Sequence, residues 1–257
     1  MSVVHKVVSR LSRSSLIDHM VYTARHGPAR GLKRQGGLGW LPGPESNEER
    51  FFSGLPWEGL TVYDIGGDQG LFSLFFARAV GKGNVVVFEP NPQSCERIKR
   101  NLALNQFQNT QVIQMGLGEK KDIASFVVPF HEPARGSAVS SMTDNIRKEG
   151  KVKILVIQVN SLDDEIQKRG LRKPDFIKLD VEGMEYSALL GMRETLKSHP
   201  RMSIEIHGAD FEKKEANAVR VVRVLEDAGY QLKHLETGKI ITSDNAGEAR
   251  VGHLYCT

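Results

Sequence analysis

From about residue 60 onward, short apolar runs alternate with longer stretches whose apolar residues recur every three or four positions, the pattern of strands followed by helices. Thr61–Ile65 predicts a strand and Leu71–Val80 a helix. Asn84–Phe88 (NVVVF) has the apolar character of a strand buried on both faces. Pro92, suited to a first helical turn, opens a helix that runs to about Asn105. Further strands are expected at Thr110–Met115, 122–128, Ile154–Asn160, Asp175–Leu179, Met202–Ile206, Tyr230–Leu235 and Gly252–Cys256. Helices are expected from Ser161, over Met184–Lys197, and over 211–228, while the polar 130–151 segment reads as loop. Repeated strand–helix units with short connections predict an α/β, doubly wound, mostly parallel sheet. The last two strands have no helix between them and should pair antiparallel, as a hairpin.

The first 45 residues follow a different pattern. Val3, Val4, Val7, Val8 and Leu11 share one helical face, with Lys6, Arg10 and Arg13 on another, so 2–25 reads as a helix. Such a helix packs on the body of the protein or makes weak peripheral contact with an anionic membrane surface. Residues 26–46 are rich in Gly and Pro and carry Arg30, Lys33 and Arg34 close behind Arg25, which suits a lid or a solvated connector. The chain therefore divides into 1–45, an N-terminal helix and basic segment serving as a cap or lid, and 46–257, the main domain.

Composition narrows the classes. A chain of 257 residues can bury a full core without disulfides or metals. The net charge of +4 permits an acidic partner without demanding nucleic acid. Cys95 and Cys256 provide neither a metal-ligand spacing nor a disulfide framework, which suits a reducing interior. No apolar run approaches the ~18 residues of a membrane span, and Lys6, Arg10 and Arg13 interrupt any signal-peptide core. The expected location is cytoplasmic.

Ligands of open parallel sheets bind beyond the carboxyl ends of the strands. Those ends carry Asp64, Gly66, Gly67, Asp68 and Gly70 after the first strand, Glu89 and Asn91 after the second, and Gly116 after the third. Asp180, Glu182, Gly183 and Glu185 follow the strand at 175–179, and Glu205 and His207 end the strand at 202–206. The loop VYDIGGDQG lacks the G-x-G-x-x-G spacing of dinucleotide folds and the Lys-Ser/Thr of a P-loop. Asp64 and Asp68 would repel a pyrophosphate and suit an ammonium group. Glu89 follows Gly70 at about the 20-residue interval of a carboxylate that accepts ribose hydroxyls. An amine and a ribose without a phosphate fit S-adenosyl-L-methionine.

The runs VYDIGGDQGLFSLFFA, VVVFEPNP, NLALN, FIKLDVEGMEYSALLG and MSIEIHG resemble those of FkbM-type methyltransferases over residues 45–210. The DVEG run at 180–183, followed by Glu185, is the most specific part. The resemblance implies a Rossmann-like, seven-stranded class I methyltransferase fold with an antiparallel C-terminal hairpin, S-adenosyl-L-methionine as cofactor, and O-methylation of a sugar, secondary metabolite or lipid-linked small molecule. By resemblance Asp64, Gly66, Gly70 and Glu89 are cofactor contacts; position in the strand-end loops adds Gly67, Asp68, Asn91 and Gly116. Ser140–Ser141 also matches a family feature. The family usually has Ala and Asn where this chain has Gly67 and Asp68, so Asp68 adds a charge near the methionine end.

An alcohol acceptor needs a base. Asp180, Glu182 and His207 are the catalytic candidates, with Glu205 or Glu185 orienting the base or the substrate. Close carboxylates should raise one another's pKa, and a histidine titrates near neutrality. Without dedicated ligand spacing no metal is expected. The rival classes are an NAD-dependent oxidoreductase and a non-catalytic S-adenosylmethionine-binding protein. Nucleic-acid methylation is disfavoured, because no Asn/Asp-Pro-Pro-Tyr-type run occurs.

Overall fold

The computed structural model describes residues 19–36, 45–129, 136–148 and 150–257. Its elements in chain order begin with β1 (Val21–Thr23), β2 (Lys33–Gln35), α1 (Asn47–Ser53), β3 (Thr61–Ile65), α2 (Leu71–Ala79), β4 (Asn84–Phe88) and α3 (Pro92–Leu104). There follow β5 (Thr110–Ile113), β6 (Gly116–Leu117), β7 (Asp122–Pro129), α4 (Ser140–Lys148), β8 (Val152–Asn160), α5 (Leu162–Arg169) and β9 (Phe176–Leu179). The chain closes with α6 (Glu185–Leu190), α7 (Arg193–Leu196), β10 (Arg201–Glu205), α8 (Phe211–Asp227), β11 (Leu232–His234), β12 (Ile240–Ile241) and β13 (His253–Cys256).

The main sheet runs β12-β11-β13-β10-β9-β3-β4-β5. Strands β10, β9, β3, β4 and β5 are parallel, and β13 is antiparallel to both β10 and β11. All five residues of β3 are buried, because helices cover both faces of the sheet. Alternate side chains serve two cores. Tyr63, Ile65, Phe88 and Leu179 pack with Ala188 and Leu189 of α6 and Val221 and Leu225 of α8. Val62, Val85, Val87 and Phe176 pack with Phe52, Trp57, Phe76 and Ile98 on the other face. Phe52 meets Trp57, Phe72 and Phe176 edge-on, with centroids 5.4–5.7 Å apart.

The turn after β3 explains one glycine. Gly66 has φ +90°, and a Cβ there would lie 1.7 Å from the Asp180 carbonyl oxygen. The chain leaving β9 is pinned at that point by Asp180 N–H donating to the Ile65 carbonyl at 2.9 Å. Gly66→Ala should therefore cost about 3 kcal/mol or more; an unchanged denaturation midpoint would contradict this close approach.

Several expectations need correction. The sheet has eight strands rather than seven, because the two-residue β12 pairs with the outer edge of β11. That same strand interrupts the expected simple connection between β11 and β13, which nonetheless pair antiparallel. Segments 122–129 and 152–160 leave the main sheet and form a separate one, β6-β8-β7. Along β8, Ile154 and Val156 are exposed while Ile157 and Val159 are buried, the alternation of a sheet with one solvated face. Part of the 130–151 stretch is helix α4, held by buried Thr143 and Ile146. The helix expected over 184–197 breaks into α6 and α7 at Gly191, where a Cβ would lie 2.0 Å from the Gly118 carbonyl oxygen.

At the N-terminal side, residues 21–23 are strand rather than helix and pair with 33–35, which breaks the expected loop. β-branched and aromatic side chains favour the extended form here. The rest of the expected helix, residues 1–18, and residues 37–44 lie outside the described residues. The hairpin is anchored on α3: Lys33 N–H donates to Asn105 Oδ1 at 2.9 Å and Gln35 N–H to Asn101 Oδ1 at 2.8 Å. No helix among the described residues is long and apolar enough to cross a membrane.

Candidate active site

A cavity of about 310 Å³ opens beyond the carboxyl ends of β3, β4 and β9. Its polar wall comprises Gly66, Asp68, Gln69, Glu89, Gly116, Asp180 and Glu182. Phe88, Met115, Phe126, Ile157 and Met184 form an apolar wall, so the separate sheet of β7 and β8 roofs the site. A mostly apolar cleft with a few convergent polar groups is the usual form of a small-molecule site.

Glu89 is held from two sides. Its Oε2 accepts the Asp68 N–H at 2.9 Å and its Oε1 accepts the Asn91 N–H at 2.8 Å. Each oxygen keeps a lone pair for a ligand hydroxyl. Burial, only partly offset by those N–H donors, pushes the carboxyl up to about 8. Asp68 is a non-glycine residue at φ +46°. Burial lifts its pKa to about 7, and its Oδ1 has no hydrogen-bond partner among the described residues.

Four sequence candidates do not reach the cavity wall. Asp64 is buried beneath the loop and accepts the Ser73 hydroxyl at 2.5 Å, so it braces α2 against β3. Gly67 packs on Val87 and Ile98, whose side chains leave no room for a Cβ. Gly70 caps α2 at φ +77°. The Asn91 side chain accepts the Gln93 N–H and caps α3, while its own N–H reaches Glu89. All four shape the loops that carry Asp68 and Glu89.

At the other end, Asp180 and Glu182 line the cavity, and His207 lines an adjoining cavity of about 180 Å³ together with Gly183, Met142, Ser141 and Asn217. The turn between them is left-handed at Glu182 (φ +50°) and Gly183 (φ +97°). Glu185 is fully buried; its Oε1 meets His207 Nδ1 at 2.9 Å and accepts the Gly183 N–H at 3.0 Å. Its Oε2 accepts Asn217 Nδ2 at 2.6 Å. His207 Nε2 then faces Asp180 Oδ1 at 3.8 Å and Glu205 Oε1 at 3.5 Å.

The charges are uneven. Burial opposes charge on the His207 ring, but the bond to Glu185 and the fields of Glu185, Asp180 and Glu182 outweigh it and push the pKa up to about 9. That is above the near-neutral value expected for a histidine base. Asp180 also departs from expectation. Burial would raise it, yet Lys178, 2.8 Å away, with His207 and His253, holds it below the usual carboxylate range. Glu182 is raised, mainly by burial.

Lys178, Asn217, Glu48 and His253 were not singled out from the sequence. Lys178 is buried between Asp180, Glu48 and Asp64, whose combined charge overcomes burial and holds it protonated. A lone lysine in the apolar strand FIKL was its only signal. Asn217 and His253 come from α8 and β13, far away in sequence. Asp180, Glu205 and His207 also bring one ligand atom each within 4.8 Å of one another, a spacing compatible with a divalent ion.

The model for the methyltransferase FkbM domain matches residues 64–232, well over half of the chain. Methyltransferase sdnD of Sordaria araneosa is 26% identical over 197 residues, covering 66% of this chain and 73% of that protein. The hexuronic acid methyltransferase AglP of Haloferax volcanii is 30% identical over 147 residues, covering 57% of this chain and 55% of that protein. Against two of the curated relatives it matches, the chain spans little more than half of their length. An FkbM methyltransferase structure from Methylobacillus flagellatus KT shares 22% identity at a TM-score of 0.47, covering 77% of this chain and 44% of that one. With the family model spanning the glycine loop, Glu89 and the DVEG turn alike, the chain belongs to the methyltransferase FkbM family.

Proposed function

We propose that this chain transfers a methyl group from S-adenosyl-L-methionine to a hydroxyl of a sugar, secondary metabolite or lipid-linked small molecule, with His207 as the base. The observation that carries this is the Glu185–His207 pair, whose ring lines the smaller cavity and faces Asp180 on the wall of the main one at 3.8 Å. Its buried carboxylate fixes Nδ1 as the protonated nitrogen and leaves Nε2 to take a proton. The hexuronic acid named for AglP favours a sugar acceptor.

The residues fit the cofactor. Glu89 offers two oxygens to the ribose hydroxyls, and Asp68, on the same cavity wall, suits an ammonium group. The cofactor supplies an electrophilic methyl carbon and its thioether leaving group. His207 Nε2 removes the hydroxyl proton, Glu185 stabilises the resulting imidazolium, and Asp180, paired with Lys178, stays ionised beside it. Phe126, Ile157 and Met184 keep the reacting centre dry.

Calorimetry with S-adenosylhomocysteine and with NAD separates this reading from an oxidoreductase: binding of NAD alone would reject it. Labelled methyl transfer to sugars, polyketides and lipids then separates enzyme from mere binding protein, which would take up cofactor and modify nothing. Chelation should leave turnover unchanged. Activity lost to chelator and restored by magnesium would instead make Asp180, Glu205 and His207 metal ligands.

The pH profile follows from His207. Below about 9 the unprotonated fraction, and with it turnover, should rise about tenfold per pH unit. Glu185→Gln removes the charge that stabilises the protonated ring, so this limb should move down from about 9 toward 6.5 without loss of S-adenosylhomocysteine affinity. A limb that stays in place would separate His207 from the chemistry.

A further inference from the structure

The two adjoining cavities carry opposite charge. Asp68, Glu89, Asp180 and Glu182 line the main one, with no lysine or arginine among its described lining residues. Lys213, Arg220 and His207 line the smaller one, and no carboxylate does so among the described residues. Elsewhere α8 mixes its signs, with Glu212, Lys214, Glu215, Arg223 and Glu226. A solvated helix surface carries both signs in this way. The face of α8 turned to the cavity carries one.

Helix geometry places these cations beside the proposed base. Lys213 and Arg220 lie one turn before and one turn after Asn217, so all three share a face of α8. Asn217 donates to Glu185 Oε2 at 2.6 Å and to the His207 carbonyl at 3.0 Å, which ties that face to the Glu185–His207 pair. The Arg220 guanidinium lies over the Tyr186 ring, 4.8 Å from its centroid. An aromatic face positions it without a counter-charge and leaves its N–H donors for a ligand. Lys213 Nζ stands 3.5 Å from Asp210 Oδ2, and both side chains are exposed, so that pair contributes little and yields to a better-placed anion. Asn145 Nδ2 donates to the Ala209 carbonyl at 2.8 Å, so the 207–209 segment that also lines this cavity is held against α4.

We propose that the smaller cavity selects an anionic acceptor, a hydroxyl compound whose carboxylate or phosphate is received by Lys213 and Arg220. The inference rests on the methyl-transfer reading above and narrows its acceptor class. Opposite charges send the two ligands to different cavities: the sulfonium and ammonium groups of the cofactor to the acidic wall, the anionic acceptor to the basic one. A planar guanidinium also binds a carboxylate or phosphate through paired hydrogen bonds, so the acceptor is oriented as well as attracted.

The test uses the full chain saturated with S-adenosylhomocysteine and titrates it by calorimetry with glucose, glucuronate and glucose 6-phosphate, which share one ring and differ in charge. The anions should bind about tenfold or more tightly than glucose. Lys213→Gln and Arg220→Gln should each lose about tenfold in affinity for the anions and nothing for glucose. Arg220→Lys keeps the charge without the paired donors and should lose less. Rising salt should close the gap between the anions and glucose. Both side chains are exposed, so the variants should keep the wild-type Tm and S-adenosylhomocysteine affinity. Binding of one anion alone, weakened in the variants, upholds the proposal and names the group. Glucose bound as tightly as the anions, neither anion bound, or anion affinity indifferent to all three substitutions overturns it. Wild type that takes up no S-adenosylhomocysteine would bring down the cofactor reading itself, a result distinct from a failure of Lys213 and Arg220 to select an anion.

Discussion

His207→Gln should lower turnover by about 10²–10⁴-fold while leaving S-adenosylhomocysteine affinity within about twofold of wild type. The ring lines the smaller cavity and not the main one, whose wall carries Glu89 and Asp68, so cofactor binding should not depend on it. Glutamine retains a hydrogen-bonding group toward Glu185, which limits structural disturbance, but no glutamine can accept a proton near neutral pH. Single-turnover transfer to an acceptor, beside calorimetry on the same sample, checks both halves. Full turnover in this variant, with loss in Glu182→Gln instead, would move the base to Glu182. That carboxyl lines the main cavity and is raised mainly by burial, so it is the specific competitor.

Glu89→Ala should weaken S-adenosylhomocysteine by about 10²–10³-fold. The substitution removes the proposed acceptor for the ribose hydroxyls and also strands two buried donors, the N–H groups of Asp68 and Asn91. Because those donors set the loop, Asp68 should lose its place as well. Glu89→Gln keeps the volume but gives one backbone N–H an amide NH₂ to face, so a smaller loss is expected. Calorimetry on both variants decides. Wild-type affinity in Glu89→Ala would place the ribose elsewhere.

Much of this site was legible because it is local. Gly66, Asp68, Glu89, Asp180 and Glu182 all sit within a few residues of a strand's carboxyl end, where a parallel sheet puts its ligands. Asp64 was readable as an acid at such an end, but not as one buried against Ser73. A strand's final residues alternate between cavity and core, and one position decides which. The pKa of His207 was misjudged for a related reason. It depends on a carboxylate 22 residues earlier and on how fully Glu185 is buried, both set by packing.

What the sequence determined by itself is the alternation of strands and helices, the glycine loop with its acids, the carboxylate of Glu89 at the end of the next strand, and the family. Each is written in the period of apolar residues or in short spacings along one element. Only the tertiary structure decided that β7 and β8 leave the main sheet to roof the cavity, that Lys178 neutralises Asp180, and that Asn217 holds Glu185. These depend on contacts between elements far apart in the chain. They arise when buried charges find partners during packing, and no local periodicity encodes them.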